Sequence, residues 1–407
     1  MSPTKMRPFG ETISLDAARA ILDATGAPMS RTERISLDHA AGRVLSRELT
    51  APIDVPPFSR AGMDGYAVKA ADTKGATRER PRTVRQTGTL YTGQVSPIPV
   101  HDGECIEIST GAPIPEGADA VVMVEETSSH TDGSVRIFME VQPQQNVGRR
   151  GADIQAGQIV LSAGELINSS RVGALAAVGA ASVEVFERPR VAILSTGNEI
   201  VEPGQPLKPG DIYDINRFTL SAVVQENGGV PVPYSPAPDS LDALIAQLDR
   251  CLVNDIVVFS GGSSVGERDL IRDAIAARGN LLFHGIAVKP GKPTGLGLVD
   301  GKPVFAMPGY PTSCLSNAHI LLVPLLRRIA RLPRQQKRTV TLPLAQRLGS
   351  VRGRHQFFTV RIADGKALPA FKASGDITSM SRADGFIEIP ADVESVEAGT
   401  DVEVTLL

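Results

Sequence analysis

The residues of this 407-residue chain best suited by type and spacing to do chemistry are three glycine-rich turns and a pair of lysines. The turns are Ser195-Thr196-Gly197-Asn198-Glu199, Ser260-Gly261-Gly262-Ser263-Ser264-Val265-Gly266-Glu267 and Met307-Pro308-Gly309-Tyr310-Pro311-Thr312-Ser313, each closing an apolar run. Glycine lets backbone N–H groups approach an anion closely, and a helix N-terminus just beyond adds partial positive charge. Any one such turn is as readily a packing feature, but three on one sheet edge read as an anion cradle. No Gly-Lys-Ser/Thr follows at Walker spacing and no GxGxxG opens the first helix, so P-loop hydrolysis and dinucleotide redox chemistry lose support.

Between the second and third turns lies Val288-Lys289-Pro290-Gly291-Lys292-Pro293. The prolines limit backbone freedom, so Lys289 and Lys292 could be held near an anion at little ordering cost; the plainer alternative is a solvated turn with two surface lysines. Four carboxylates, Glu199, Asp214, Glu267 and Asp269, fall at the same sheet edge. Oxygen ligands of this kind, shared with substrate phosphate, suit Mg²⁺. Glu267 and Asp269 suit the start of the next helix equally well, and both readings can hold together. Residues 327–361 carry ten Lys or Arg and no acid. Most read as solvated faces, whereas Arg354, in a glycine turn, can present its guanidinium fork to a phosphate. Asp64, before Gly65, reads locally as turn chemistry.

These residues need a scaffold, and the pattern supplies one. After Pro189, strand-like runs at 190–196, 230–234, 255–260, 281–283 and 304–307 alternate with helical periodicity at 217–226, 241–252, 268–277 and 313–329. Such alternation builds a doubly wound, mainly parallel α/β domain whose ligands bind beyond the carboxyl ends of the strands. Upstream, short β runs at 83–87, 105–109, 120–125 and 135–141 form a small β module. Helices are expected from Ser14 to near Gly26, at 37–45, and from Asn168 to 178, so the module reads as an insertion between helical segments that pack together. Past Pro333 the β runs at 339–344, 357–362, 385–389 and 402–406 read as a small barrel or sandwich. The expected division is 1–51 with 150–186 as a helical and extended N-terminal domain, 52–149 as the inserted β module, 187–332 as the α/β domain and 333–407 as the C-terminal β domain.

Composition narrows the function classes. Basic residues number 42 and acidic 45, a net −3, and aromatics make up only 4 % with no Trp. Neither favours nucleic acid, which needs basic excess or stacking platforms. Cys105, Cys251 and Cys314 are widely spaced and odd in number, which suits a reducing compartment without disulfides. The polar start at 1–11 lacks a signal-peptide core, and the apolar run at 320–326 is too short to span a bilayer, so the expectation is a cytoplasmic protein with no membrane contact.

The strings PPFSRAGMDGYAV, TGAPIPEGADAVVMVE, NVGRRGADI, STGNE, SGGSSVGERD, VKPGKP and MPGYPTS, in this order, resemble the MoeA family, the molybdenum insertases of molybdenum cofactor synthesis. The resemblance implies an enzyme that takes adenylylated molybdopterin and molybdate, with Mg²⁺, and yields molybdenum cofactor and AMP. It implies catalytic roles for Asp64, Thr110, Glu199, Glu267 and Asp269, and metal-holding roles for Glu199, Glu267 and Asp153. Substrate-binding positions are Gly261, Gly262, Ser264, Lys289, Lys292, Pro308, Ser313, Arg354 and Ser379. It further implies a homodimer, each site combining the α/β domain of one chain with the β module of the other, and a molybdopterin adenylyltransferase as partner. Three departures stand out: Glu267 where the family has Asp, MPGYP where it has LPGNP, and Gly261-Gly262-Ser263-Ser264 where it has GGVS. They leave open a paralogue that uses tungstate. Molybdopterin adenylyl transfer and a non-enzymatic gephyrin-like scaffold are the other readings.

Overall fold

The computed structural model describes residues 12–238, 240–261 and 270–407, which fall into two compact units. One comprises Met1–Glu33, Gly42–Val44 and Phe186–Leu407; the other comprises Arg34–Ala41 and Leu45–Val185.

The first unit is built on a six-stranded sheet in the order Val230–Pro233, Arg190–Ser195, Ile256–Ser260, Lys302–Met307, Gly295–Val299, Asn280–His284. The first four strands are mutually parallel and the last two antiparallel. Successive side chains leave a strand on opposite faces, and the cores divide accordingly. Val191, Ile193, Val258, Phe305 and Met307 join Leu220, Val224 and Leu321 on one face. Ala192, Leu194, Val257, Phe259 and Ala306 join Leu244, Leu248 and Ile275 on the other. Burial on both faces explains why these strands read as continuous apolar runs.

The antiparallel strand Gly295–Val299 is absent from the sequence expectation because its Gly-Leu-Gly-Leu-Val run lacks strand propensity. Packing supplies the reason for glycine there: a Cβ on Gly297 would stand 2.3 Å from Ile275 Cγ2 and 2.9 Å from the Asn280 carbonyl. The helix expected over 313–329 is three pieces, α from Pro311 to Asn317, a π turn from Ala318 to Leu322 and α from Val323 to Ile329. Pro311 suits the first helical position, while Pro324 lacks an N–H and crowds the preceding turn, which opens the wider π spacing.

Leu15–Ala24 is capped by the Ser14 hydroxyl, which accepts the Ala17 N–H at 3.1 Å. It buries Leu15, Ala18 and Leu22 in the α/β core, and Leu175 of the helix Ser169–Ala177 belongs to a cluster of the second unit. The helix expected over 37–45 is only the 3₁₀ turn Leu37–His39, because Gly42 turns the chain at φ +76°.

The C-terminal residues of this unit form a mixed sheet in the order Val288–Lys289, His355–Ala363, Gly385–Ile389, Asp401–Leu406, Thr339–Pro343, with Lys366–Pro369 pairing His355–Ala363. Its first strand comes from the lysine turn and runs parallel to His355–Gln356.

In the second unit a six-stranded sheet runs Ala120–Met123, Gly65–Val68, Glu104–Ile108, Arg82–Leu90, Ser134–Ile137, Thr127–Ser129. Alternation again makes two small cores, one with Tyr66, Val68, Cys105 and Val122, the other with Ala67, Ile106, Ile108 and Val121. All three cysteines are free and buried. Among the described residues no helix is long and apolar enough to cross a membrane.

Candidate functional site

The described starts of the three glycine turns meet. In the parallel ladder Ser195 lies opposite Ser260, and Ser260 opposite Met307. Beyond the strand ends the Thr196 N–H donates to the Ser260 carbonyl at 2.9 Å and the Gly261 N–H to the Met307 carbonyl at 3.2 Å. Gly261 has φ +109°, and a Cβ there would stand 2.4 Å from the Thr196 carbonyl oxygen. A Cβ on Gly309 would lie 3.3 Å from Gly261 Cα, so the turns leave no room for side chains between them.

Above these ends opens a cavity of about 1040 Å³. Thr196, Gly261, Pro308 and Ser313 line it from the strand ends, and Glu199 and Asp214 from the segment between the first strand and the helix Asn216–Glu226. Lys289, Lys292 and Arg354 line it from the lysine turn and the C-terminal sheet. Cations and carboxylates thus face one space, at the edge where α/β sheets bind ligands.

Each cation is held by its backbone. Gly291, at φ +97°, closes the lysine turn, and its carbonyl accepts the Thr294 hydroxyl at 2.9 Å and the Asn317 Nδ2 at 2.8 Å. A Cβ on Gly291 would collide with the Asn317 amide. Pairing of Val288–Lys289 with His355–Gln356 then brings Arg354 beside the lysines. A loop at 372–376 completes this wall: Ser374 and Gly375 line the cavity, the Thr312 N–H donates to the Ser374 carbonyl at 3.1 Å, and the Thr312 hydroxyl to the Asp376 carbonyl at 2.9 Å.

Beneath the carboxylate wall is a buried polar network. Ser195 Oγ donates to Asp214 Oδ1 at 2.9 Å, the Arg217 N–H donates to the same oxygen at 3.0 Å, and Ser260 Oγ lies 3.3 Å from Ser195 Oγ. Asn216 Nδ2 donates to the Gly309 carbonyl at 2.9 Å. Thr196 Oγ1, Asp214 Oδ2 and Asn216 Oδ1 are buried without hydrogen-bond partners among the described residues. Buried oxygens of this kind beside an exposed Glu199 are the donor type Mg²⁺ takes, so the wall fits that ion, with Asp214 Oδ2 also facing Arg217, whose Nε is 3.8 Å away. No group of three or more His, Cys, Asp or Glu converges to hold a metal among the described residues. Burial, with the Asp214 charge adding, pushes the Cys314 thiol well up, which removes it as a nucleophile.

Gly262, Ser264, Glu267 and Asp269 lie outside the described residues. Asp64, Thr110 and Asp153 belong to the second unit. There Asp64 Oδ1 accepts the Thr110 N–H at 2.7 Å and the Thr110 hydroxyl at 2.9 Å, and the Thr110 backbone holds its carboxyl below the usual range. Asp153 is exposed, its N–H donating to the Val55 carbonyl at 3.0 Å. Ser379 is fully buried off the cavity wall; its Oγ accepts the Lys372 N–H at 3.1 Å and so supports the loop that does line it. Sequence reasoning missed Asn216 and Asn317. Neither carries a local signal, since Asn216 stands beside Arg217 and Asn317 beside Ser316 among other polar residues.

Family profiles account for most of the chain. Residues 13–179 match the MoeA N-terminal region (domain I and II), 192–328 match the "Probable molybdopterin binding domain", and 341–407 match the MoeA C-terminal region (domain IV). A curated relative from Mycobacterium tuberculosis, named molybdopterin molybdenumtransferase 2, is 36 % identical over 381 residues, covering 91 % of this chain and 94 % of the relative. The molybdopterin molybdenumtransferase of Haemophilus influenzae is 34 % identical over 322 residues, 78 % of each chain. A solved molybdopterin biosynthesis MoeA protein from Pyrococcus horikoshii superposes with a TM-score of 0.85 at 39 % identity, covering 97 % of this chain and 99 % of that one. With the anion cradle, the lysine turn and the C-terminal wall all falling inside these matches, the chain belongs to the MoeA family.

Proposed function

We propose that this chain is a molybdenum insertase, which takes adenylylated molybdopterin and molybdate and yields molybdenum cofactor and AMP. The observation that carries the reading is the cavity where Thr196, Gly261 and Pro308, at the starts of the three glycine turns, converge with Lys289, Lys292 and Arg354. A phosphoanhydride-linked substrate and an oxyanion are both negative, and preorganised cations and N–H donors hold such groups together and stabilise charge on a leaving phosphate. Lys289 and Lys292 act as point charges, and Arg354 supplies a planar fork for phosphate or oxyanion. Gly261, Pro308 and Ser313 shape the cradle, and Gly262 and Ser264 are assigned to substrate binding. Mg²⁺, when bound, would neutralise phosphate charge, and Glu199 with Glu267 and Asp153 are the residues assigned to hold it. Asp64, Thr110 and Asp269 are assigned to catalysis.

The finer organisation belongs to the same reading: four domains at 1–51 with 150–186, 52–149, 187–332 and 333–407, a doubly wound α/β domain, and a C-terminal barrel or sandwich. A homodimer with sites completed in trans, an adenylyltransferase partner and a cytoplasmic location also belong to it. The trans arrangement rests on the resemblance to the MoeA family. Tyr310, 67 % exposed on the cavity wall, is one of the departures from the family pattern that leave open a second reading, a paralogue that uses tungstate.

The test is AMP release from adenylylated molybdopterin with Mg²⁺ and molybdate or tungstate in turn. Release with molybdate is expected; release with tungstate alone moves the protein to the second reading, and none with either overturns both.

A further inference from the structure

The segment that carries Glu199 has little of its own to hold it. It leaves the first strand through Gly197, at φ +140°, and returns at Asp214. Two short parallel strands, Ile200–Val201 and Ile212–Tyr213, join its limbs, with the Ile212 N–H donating to the Glu199 carbonyl and the Asp214 N–H to the Val201 carbonyl, both at 2.9 Å. Glu199 is therefore located by whatever fixes the returning limb.

That limb is fixed at the Asp214 carboxylate, which is only 3 % exposed. Its Oδ1 accepts the Ser195 hydroxyl from the first strand end and the Arg217 N–H from the following helix. Ser195 has one proton and directs it to Asp214, so the Ser260 hydroxyl, 3.3 Å away, is the donor to Ser195 Oγ. The chain of bonds thus runs from the end of the strand Ile256–Ser260 through that of Arg190–Ser195 to Asp214. Arg217 also pairs with Glu202, three residues beyond Glu199, which ties the outgoing limb to the same helix start. A buried carboxylate beneath an anion cavity is costly to keep, and these bonds, together with the Arg217 guanidinium whose Nε lies 3.8 Å from Asp214 Oδ2, retain it.

We propose that Asp214 is a positioning residue, which locks the segment carrying Glu199 to the ends of the strands Arg190–Ser195 and Ile256–Ser260. The inference rests on the insertase reading for its activity arm alone. Displacing a reacting group by about 1 Å can cost on the order of a hundredfold in rate, so Asp214→Ala is expected to lower kcat by about ten- to a hundredfold with KM little changed. Asp214→Asn keeps an oxygen that can accept both bonds and is expected to recover most of that loss. Asp214→Ala combined with Glu199→Gln should be no slower than the worse single variant.

The second arm needs no substrate. Amide hydrogen exchange at Ile212 and Asp214 in the full-length protein should speed up by about tenfold or more in Asp214→Ala and recover in Asp214→Asn. Where Asp214→Ala fails to fold, Ser195→Ala, which removes only one donor, carries both arms with a smaller effect in the same direction. Unchanged exchange, or effects of Asp214→Ala and Glu199→Gln that multiply, would overturn the proposal. Loss of activity in Asp214→Asn with exchange unchanged overturns it too, in favour of a charge role. If the wild type releases no AMP while exchange responds as described, the insertase reading fails and the positioning role stands.

Discussion

Thr110 gives both its backbone N–H, at 2.7 Å, and its hydroxyl, at 2.9 Å, to one oxygen of Asp64. The carboxylate is pinned on one side and open on the other, since both residues are exposed.

The pH behaviour of Asp64 follows. The Thr110 N–H is the larger cause of its lowered pKa and the hydroxyl the second, so the carboxyl should titrate below its ordinary 3.8. A lowered folded-state pKa keeps the group ionised until pH falls through that lowered value, so Asp64 should add no inflection to a rate profile between about pH 5 and 8. Thr110→Ala should raise the pKa only part of the way, because the N–H remains. Carboxyl-carbon NMR titration of the wild type and variant checks both statements.

Glu388 gives a stability prediction. The His355 hydrogen bond, and after it Lys337, hold its pKa down at about 2, against an ordinary 4.5. Stability from a lowered pKa is complete above the unfolded value and is lost as pH falls through the folded one. The melting temperature should therefore drop between pH 4.5 and about 2, and His355→Ala should flatten that dependence, read by melting curves across the range.

Gly297→Ala should destabilise by about 1–3 kcal/mol, as overpacking of a core does. The added methyl would sit against Ile275 Cγ2 and the Asn280 carbonyl, and the second of these cannot move without the strand. Chemical denaturation checks it; a stability equal to wild type would show that the strand and helix separate freely.

Lys292→Ala and Arg354→Lys should separate charge from shape. The first removes a cation from the cradle and should raise KM for the adenylylated substrate by about tenfold or more. The second keeps the charge and loses the planar fork, so a comparable penalty is expected where the fork grips phosphate or oxyanion. Steady-state kinetics at fixed ionic strength read both.

The trans site of the proposed homodimer is tested by complementation. Asp64→Ala and Lys292→Ala, assayed at a substrate concentration where each alone falls far below wild type, are mixed under conditions that exchange subunits. A mixed dimer has one whole site of two, so activity should return. Confirmed exchange without activity would place the whole site in a single chain.

The strand ends and their glycine turns were legible in the sequence because the signals are local: apolar runs long enough to be buried on both faces, broken by glycine where backbone must approach backbone. The same holds for Ser14 as a helix cap. Val288–Lys289 as an edge strand of the C-terminal sheet was not legible, since two residues have no periodicity and their partner, His355–Gln356, lies far along the chain. Gly295–Val299 was missed because a glycine-rich run lacks intrinsic strand preference, and it is a strand through the packing of Ile275 against Gly297. Asp214 was visible only as one of four acids; the hydroxyls of Ser195 and Ser260 on two separate strands make it an anchor, and only the parallel register brings them together. Residue types and turn chemistry were determined by the sequence itself, whereas which polar groups are buried together was decided by long-range pairing, where the cost of an unmet hydrogen bond selects the partner.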